Sequence, residues 1–326
     1  MSTIVSPVSA RPVSEQISGA VRKGLGCQPK SLPPWLFYDE KGSSLFEQIT
    51  ELPEYYLTRI ERAILTTHAA AMIAAAASGK RLRIAELGAG SADKTRLLLA
   101  AAVQRQGSVL YEPVDVSASA LESARQRIER EIEGVQVAPR VEDYTIDFEL
   151  DTAGPDERRL VLYIGSSIGN FEPDQALRIL QGVRAGLKQG DGLLLGVDLV
   201  KNPARLLAAY DDAAGVTAAF NLNLLLRLNR DLDADFNLDA FAHRAIWNEA
   251  KSRIEMHLES QTRQTVRIAA LDLDVEFAAG ETIHSENSYK YRPGEVKKLF
   301  AASGFALSES WTDAQGWFEV DFGRAI

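Results

Sequence analysis

The chain has 326 residues, 46% of them hydrophobic and 25% charged, with a formal net charge of −9. That balance is ordinary for a globular chain, and its acidity argues against a nucleic-acid binder, which carries a basic footprint. A single cysteine, Cys27, excludes an internal disulfide and a Cys-rich zinc site, and no apolar run approaches the about 20 residues that a membrane helix needs.

The N-terminus lacks a basic region followed by an apolar core, so no secretion signal is expected and a cytoplasmic enzyme is the default. Residues 1–12, rich in Ser, Val and Pro, read as a frayed tail. Val13 to Leu25 reads as a helix closed by Gly24 and Gly26. Pro33 and Pro34 then forbid regular helix in the aromatic stretch Trp35-Leu36-Phe37-Tyr38. Ser43 to Thr50 and Thr58 to Ala77 read as helices on either side of the turn Leu52-Pro53-Glu54-Tyr55-Tyr56.

Arg81 to Ala85 reads as a buried strand, and Thr95 to Val103 as a helix. Between them stands Glu86-Leu87-Gly88-Ala89-Gly90. Glycines let backbone approach a ligand, and the following helix presents its free N–H groups and positive dipole end to the turn. A dinucleotide fingerprint wants a third glycine where this chain has Asp93. An acid just before the glycines suits the cationic head of S-adenosylmethionine better, and Glu-x-Gly-x-Gly resembles the first motif of Rossmann-like methyltransferases.

Ser108 to Asp115 is the second expected strand, followed by a helix from Ser117 to Glu133 with Ser117 as its N-cap. Val135 to Val141 is the third strand. Arg159 to Ile164 is the fourth, a continuous apolar run as in a strand buried on both faces. A helix from Asp174 to Leu187 and a fifth strand from Leu193 to Val197 complete a doubly wound α/β pattern. The alternation then stops. Asn202–Ala214 and Val216–Leu228 read as helices, and Arg253–Leu258 and Gln264–Leu273 as antiparallel strands. Arg292–Ser303 resumes as a helix, and Phe305–Trp311 with Trp317–Phe322 form a C-terminal hairpin.

The expected architecture is therefore a Rossmann-like, mostly parallel sheet with a C-terminal antiparallel hairpin and an inserted α+β domain. Its domain boundaries are residues 60–198 and 289–326 for the sheet domain, and 13–59 with 199–288 for the second.

Ligands in such sheets bind outside the carboxyl ends of the strands. Asp115 at the second strand end is placed to accept from ribose hydroxyls. Asp143 can accept from an adenine amino group while Tyr144 packs on the ring. Lys94 either neutralises a ligand carboxylate or pairs with Glu86 or Asp93. Gly165-Ser166-Ser167-Ile168-Gly169-Asn170, after the fourth strand, makes a small polar loop suited to receiving a nucleophile. Asp231-x-Asp233-x-Asp235 has the spacing of a calcium loop. It lacks that loop's glycine at Phe236 and its glutamate at Ala242, so it is rejected. The histidines at 68, 243, 257 and 284 are scattered and show no His-x-x-x-His spacing.

Seven segments together resemble the histidine-specific methyltransferases of ergothioneine biosynthesis. They are Ser31-Leu-Pro-Pro-x-x-Phe-Tyr-Asp39, Leu52-Pro-Glu-Tyr-Tyr56, Glu86-Leu-Gly-x-Gly90, Gly165-Ser-x-Ile-Gly-Asn170, Asp198-Leu-Val-Lys201, Ala209-Tyr-Asp-Asp-Ala-Ala-Gly-Val-Thr-Ala-Ala-Phe-Asn221 and Arg253-Ile-Glu-Met256. The resemblance runs from about residue 20 to the C-terminus and implies a class I fold. It also implies conversion of L-histidine to Nα-trimethylhistidine, hercynine, with S-adenosylmethionine as methyl donor and without metal, nucleic acid or membrane, by a monomer.

By the same resemblance, Tyr38, Gly88, Lys94, Asp115, Asp143 and Tyr144 match cofactor-binding positions. Tyr55, Asn170 and Tyr210 match residues that grip the amino acid's carboxylate and amine. Tyr38, Gly165 and Asn170 match positions near the reacting amine. Glu286 and Ser288 match the pair that reads the imidazole, with Met256 alongside. A related branch methylates tryptophan, against which Glu286 argues. That substrate, another amino acid, or a non-catalytic S-adenosylmethionine-binding module are the alternatives.

Overall fold

The protein is described by a computed structural model covering residues 13–145, 150 and 154–326. The expected tail of residues 1–12 lies outside the described residues. The chain divides into two compact units. The larger takes Glu47–Tyr210, Trp247–Ile254 and Asn287–Ile326; the other takes the chain up to Phe46 with Asp211–Ile246 and Glu255–Glu286.

The larger unit is built on one sheet. Its strands lie in the order Phe305–Thr312, Phe318–Ala325, Gly192–Asp198, Glu157–Tyr163, Arg81–Leu87, Val109–Asp115 and Val135–Val137. The last five pair in parallel, the first two form the expected antiparallel hairpin, and Phe318–Ala325 runs antiparallel to Gly192–Asp198. The expected third strand breaks into Val135–Val137 and Arg140–Val141, both paired to Val109–Asp115. Leu160 to Tyr163 are fully buried, as a central parallel strand requires.

Strand order reverses between Arg81–Leu87 and Glu157–Tyr163, each of which runs next to the other in the sheet. Crossovers leave that point in opposite directions and open a crevice at the strands' carboxyl ends. The Gly88 turn follows one of these strands and the Gly165 turn follows the other. Both glycines have positive φ, 65° and 84°, a region that costs a residue with a Cβ. Ser117 caps its helix as expected, its hydroxyl accepting the Ala120 amide at 3.3 Å.

In the smaller unit, Pro34–Phe37 form a short 3-10 helix, compatible with proline at its start. The helix expected over Asn202–Ala214 is Pro203–Ala208 alone. The chain leaves it because Asp212 caps the next helix, Val216–Leu232, by accepting the Val216 and Thr217 amides at 3.0 and 2.7 Å. Gly215, at φ 74°, makes the connection.

A second sheet follows the order Lys30–Ser31, Thr282–Tyr289, Arg253–Ser260 and Phe241–Asn248. The expected Gln264–Leu273 strand is two strands, Gln264–Ile268 and Leu273–Phe277, folded back around a left-handed Asp272. In Arg253–Ser260 the alternate residues Ile254, Met256, Leu258 and Ser260 are buried, which fixes which face meets the core.

Candidate active site

At the Gly88 turn, Asp115 is half-buried. Its Oδ2 accepts the Gly90 amide at 3.0 Å and its Oδ1 the Ser117 amide at 2.9 Å. These bonds set the carboxylate's orientation. A carboxylate has about four lone-pair sites, so each oxygen retains capacity for a hydroxyl pair. Tyr144 lies edge-on to Tyr163, with ring centroids 5.6 Å apart. A Cβ at Gly88 would stand 3.4 Å from the Tyr144 hydroxyl. Burial pushes the Tyr144 phenol up to about 12, so it stays neutral. Asp143 spends Oδ1 on the Thr145 amide and hydroxyl, at 3.0 and 2.6 Å.

Glu86 does not face the turn. It is buried, and both its oxygens lie 2.7 Å from the Thr95 hydroxyl, with the Tyr111 hydroxyl donating to it as well. Burial pushes its carboxyl up to about 7, against these hydrogen bonds, which pull it down. The acid before the glycines thus anchors strand to helix inside the core.

Lys94 pairs with neither Glu86 nor Asp93. Its ammonium donates to Glu61, a fully buried carboxylate from the helix Tyr56–Ala77 that also accepts the Gly165 amide at 2.8 and 3.0 Å. Asp93 pairs with Arg62 instead. One buried acid therefore joins Lys94 to the turn after the fourth strand. Asn170 ends the 3-10 turn Ser167–Asn170 of that loop and is half-buried.

A second group gathers Tyr55, Tyr210 and Ser288. The Tyr55 and Tyr210 rings meet edge-on at 6.2 Å, and the Tyr210 and Ser288 hydroxyls lie 2.7 Å apart. Behind them the buried Lys290 ammonium donates to Tyr210, Ser288 and Asp198 at 2.9, 2.8 and 2.9 Å. Asp198 also accepts from Tyr56 at 2.7 Å and from Lys201 at 2.5 Å. Burial pulls Lys201 down to about 8, opposed by Asp198. Lys290 and Glu61 carry no periodicity or motif of their own that marks them, whereas Tyr56 closes the quoted segment Leu52-Pro-Glu-Tyr-Tyr56. Asp198 and Lys201 stood at a strand end within a quoted segment, where their charge was the available signal.

The remaining expected residues lie in the smaller unit. Tyr38 is half-buried, edge-on to Phe46 and Phe220 at 5.8 and 5.9 Å. Its neighbour Asp39 accepts from the Gly42 amide, Asn223 and Arg230 at 2.7, 2.9 and 2.8 Å, which fixes the chain there. Met256 is buried, and its carbonyl accepts the Ser285 hydroxyl at 3.0 Å. Glu286 is half-buried and sits two residues before Ser288 on the strand Thr282–Tyr289. The His284 Nε2–H donates to the Glu286 carbonyl at 3.0 Å. Among the described residues, Glu255, His257 and His284 form a group whose ligand atoms lie within 4.8 Å of one another. The two imidazoles stack at 18°, so their lone pairs run in near-parallel planes instead of meeting at one point.

The model of a family described as histidine-specific methyltransferases, SAM-dependent, matches residues 17–325. The chain is 46% identical over 324 residues to the histidine N-alpha-methyltransferase of Mycolicibacterium smegmatis, covering 99% of this chain and 98% of that one. It is 45% identical over 307 residues to the histidine N-alpha-methyltransferase of Mycobacterium tuberculosis, covering 94% and 92%. Ergothioneine biosynthesis protein 1 of Neurospora crassa is 31% identical over 295 residues, 87% of this chain and 32% of that protein.

Proposed function

Because the chain belongs to the histidine-specific, S-adenosylmethionine-dependent methyltransferase family, we propose that it converts L-histidine to hercynine by three successive methyl transfers to the α-nitrogen. The observation that carries this is the family match over residues 17–325, nearly the whole chain. The reaction opens ergothioneine biosynthesis. We place the enzyme in the cytoplasm as a monomer that needs no metal, nucleic acid or membrane.

The residues at the Gly88 turn fit the methyl donor. Gly88 has no side chain where Tyr144 closes in, and Asp115 is held in an orientation suited to a vicinal diol. When bound, S-adenosylmethionine supplies a methyl group on a positively charged sulfur. In each transfer the substrate nitrogen's lone pair forms the new C–N bond as the C–S bond breaks, and the electron pair stays on sulfur. The amine must be neutral to attack. It loses one proton before the first transfer and one after each of the first two. The third leaves a quaternary ammonium with no proton to lose.

Such a displacement asks the protein mainly for alignment, which is worth at best about 7–11 kcal/mol. Tyr55, Asn170 and Tyr210 are assigned the carboxylate and amine. Tyr38 and Gly165 orient the attacking nitrogen. Glu286 and Ser288 read the imidazole, with Met256 beside them. Lys94, Asp115, Asp143 and Tyr144 hold the donor.

The test is methyl transfer from S-adenosylmethionine to each of the twenty amino acids, read by mass spectrometry. Histidine gaining three methyl groups, with tryptophan and the rest left unmodified, is the expected result. Preference for another amino acid, or no transfer at all, overturns the reading.

A further inference from the structure

Lys290 is a buried cation of the larger unit that the substrate reading does not use. Its side chain is fully buried and its three N–H donors meet three acceptors: the Tyr210 hydroxyl at 2.9 Å, the Ser288 hydroxyl at 2.8 Å and Asp198 at 2.9 Å. An ammonium donates and never accepts. Tyr210 and Ser288 therefore each spend a lone pair on Lys290. They also hydrogen-bond to each other at 2.7 Å, one donating to the other. Whichever way that shared proton lies, the other hydroxyl donates outside the triangle.

We infer that Lys290 is a positioning residue that turns the Tyr210–Ser288 pair into a donor toward the amino-acid substrate. This rests on the assignment of Tyr210 to the carboxylate and Ser288 to the imidazole. It adds that the two readings share one cation, and that both hydroxyls can donate to the substrate only when it parts the Tyr210–Ser288 hydrogen bond.

The surroundings hold the cation in place. Asp198 is fully buried, and it accepts from Tyr56 and Lys201 as well as from Lys290. Lys201 also feels the charge of Asp313. The Lys290 ammonium lies 4.7 Å from the centroid of the Tyr210 ring, so it fixes that ring as well as its hydroxyl. A hydroxyl whose oxygen is hydrogen-bonded to an ammonium becomes a better donor to an anion, since the bonds in such a chain polarise one another. The partner expected outside the triangle is accordingly an acceptor, and a carboxylate suits it best.

The experiment compares wild type, Lys290→Met, Lys290→Arg and the double variant Lys290→Met with Asp198→Asn, which removes the cation without leaving Asp198 charged. Each is checked for fold by circular dichroism and for S-adenosylmethionine binding by calorimetry. Steady-state kinetics are then measured on histidine and on histamine, which lacks the carboxylate. The expected result is a rise of tenfold or more in the histidine KM for the Met variants and a smaller fall in kcat. The histidine-over-histamine preference should collapse, and Lys290→Arg should partly restore it. A folded double variant that keeps the wild-type KM and preference overturns the inference. Tyr210→Phe is run alongside. If it changes the preference while the Lys290 variants do not, the inference fails and the carboxylate assignment stands. If Tyr210→Phe leaves the preference unchanged, the assignment itself fails.

Discussion

The Asp115 carboxylate and the Gly90 amide are joined by a 3.0 Å hydrogen bond that ties the end of one strand to the glycine turn of its neighbour. That bond positions Asp115 before any ligand arrives. With ribose hydroxyls as its partners, Asp115→Ala loses hydrogen bonds to a charged group, each worth about 1.5–3 kcal/mol. S-adenosylmethionine affinity should fall by at least about tenfold, measured by calorimetry on folded protein. Unchanged affinity would remove Asp115 from the cofactor's contacts.

The place of Asp115 at the carboxyl end of a parallel strand was legible, because the mostly apolar run from Val109 stops at the acid. The sheet was legible too. Its apolar runs are bounded by glycines and acids, and the run through Leu160–Tyr163 admits no face for water. The partners of Lys94 and Glu86 were not legible. They are Glu61 for Lys94, and Thr95 and Tyr111 for Glu86, which arrive from other elements, and local spacing carries no record of such contacts. The strands Phe241–Asn248 and Thr282–Tyr289 escaped for a different reason. Both of their faces are partly covered, so their half-buried residues blur the period of two on which strand reading depends. The Lys290 cluster was hidden for the same reason as Glu61, since its members come from four separate stretches of chain, at Tyr55–Tyr56, Asp198–Lys201, Tyr210 and Ser288–Lys290.

Glu86 makes a pH prediction. Its carboxyl is pushed up to about 7 by burial, whereas an unfolded glutamate ionises near about 4.3. Between those values the folded chain holds a proton that the unfolded chain has released. Stability therefore falls as pH rises through that window and levels off above it. Asp321, also pushed up to about 7 by burial, acts in the same direction, so wild type alone cannot isolate Glu86. The comparison is Glu86→Gln, which removes the ionisation and keeps a hydrogen-bonding head. Denaturant unfolding at pH 5 and pH 8 should show the variant gaining on wild type with pH, by no more than about 3 kcal/mol. Parallel curves would mean that Glu86 ionises equally easily in both states.

Tyr55 and Tyr210 make a prediction about the carboxylate. Their rings meet edge-on at 6.2 Å, and both are buried. If the two hydroxyls hold the substrate carboxylate, Tyr55→Phe and Tyr210→Phe should each raise the histidine KM by about tenfold, one hydrogen bond to a charged group. Tyr210→Phe should cost more, since it also leaves Lys290 and Ser288 short of a partner. Histamine should be a poor substrate of the wild-type enzyme. Equal turnover of histamine and histidine would refute the carboxylate grip.

On the proposed reading, substrate identity rests on Glu286. A neutral imidazole offers one N–H donor and one acceptor nitrogen, so a site that reads it needs an acceptor facing one and a donor facing the other. Glu286 can accept and Ser288 can donate, and they stand two apart on the strand Thr282–Tyr289, a spacing that puts both on one face. A carboxylate also accepts from the protonated ring, so histidine binding should survive mild acid better than methyl transfer does, because the amine must be neutral to react. Glu286→Ala leaves the ring's N–H without its acceptor. Sites built on such pairing discriminate by up to about 10⁴–10⁵-fold against analogues that lack the group. The variant should lose most of its histidine activity and gain, relative to it, on amino acids with larger apolar rings. Measuring kcat/KM for histidine, phenylalanine and tryptophan in wild type and Glu286→Ala decides the matter. An unchanged order of preference would mean that the imidazole is read by some other group.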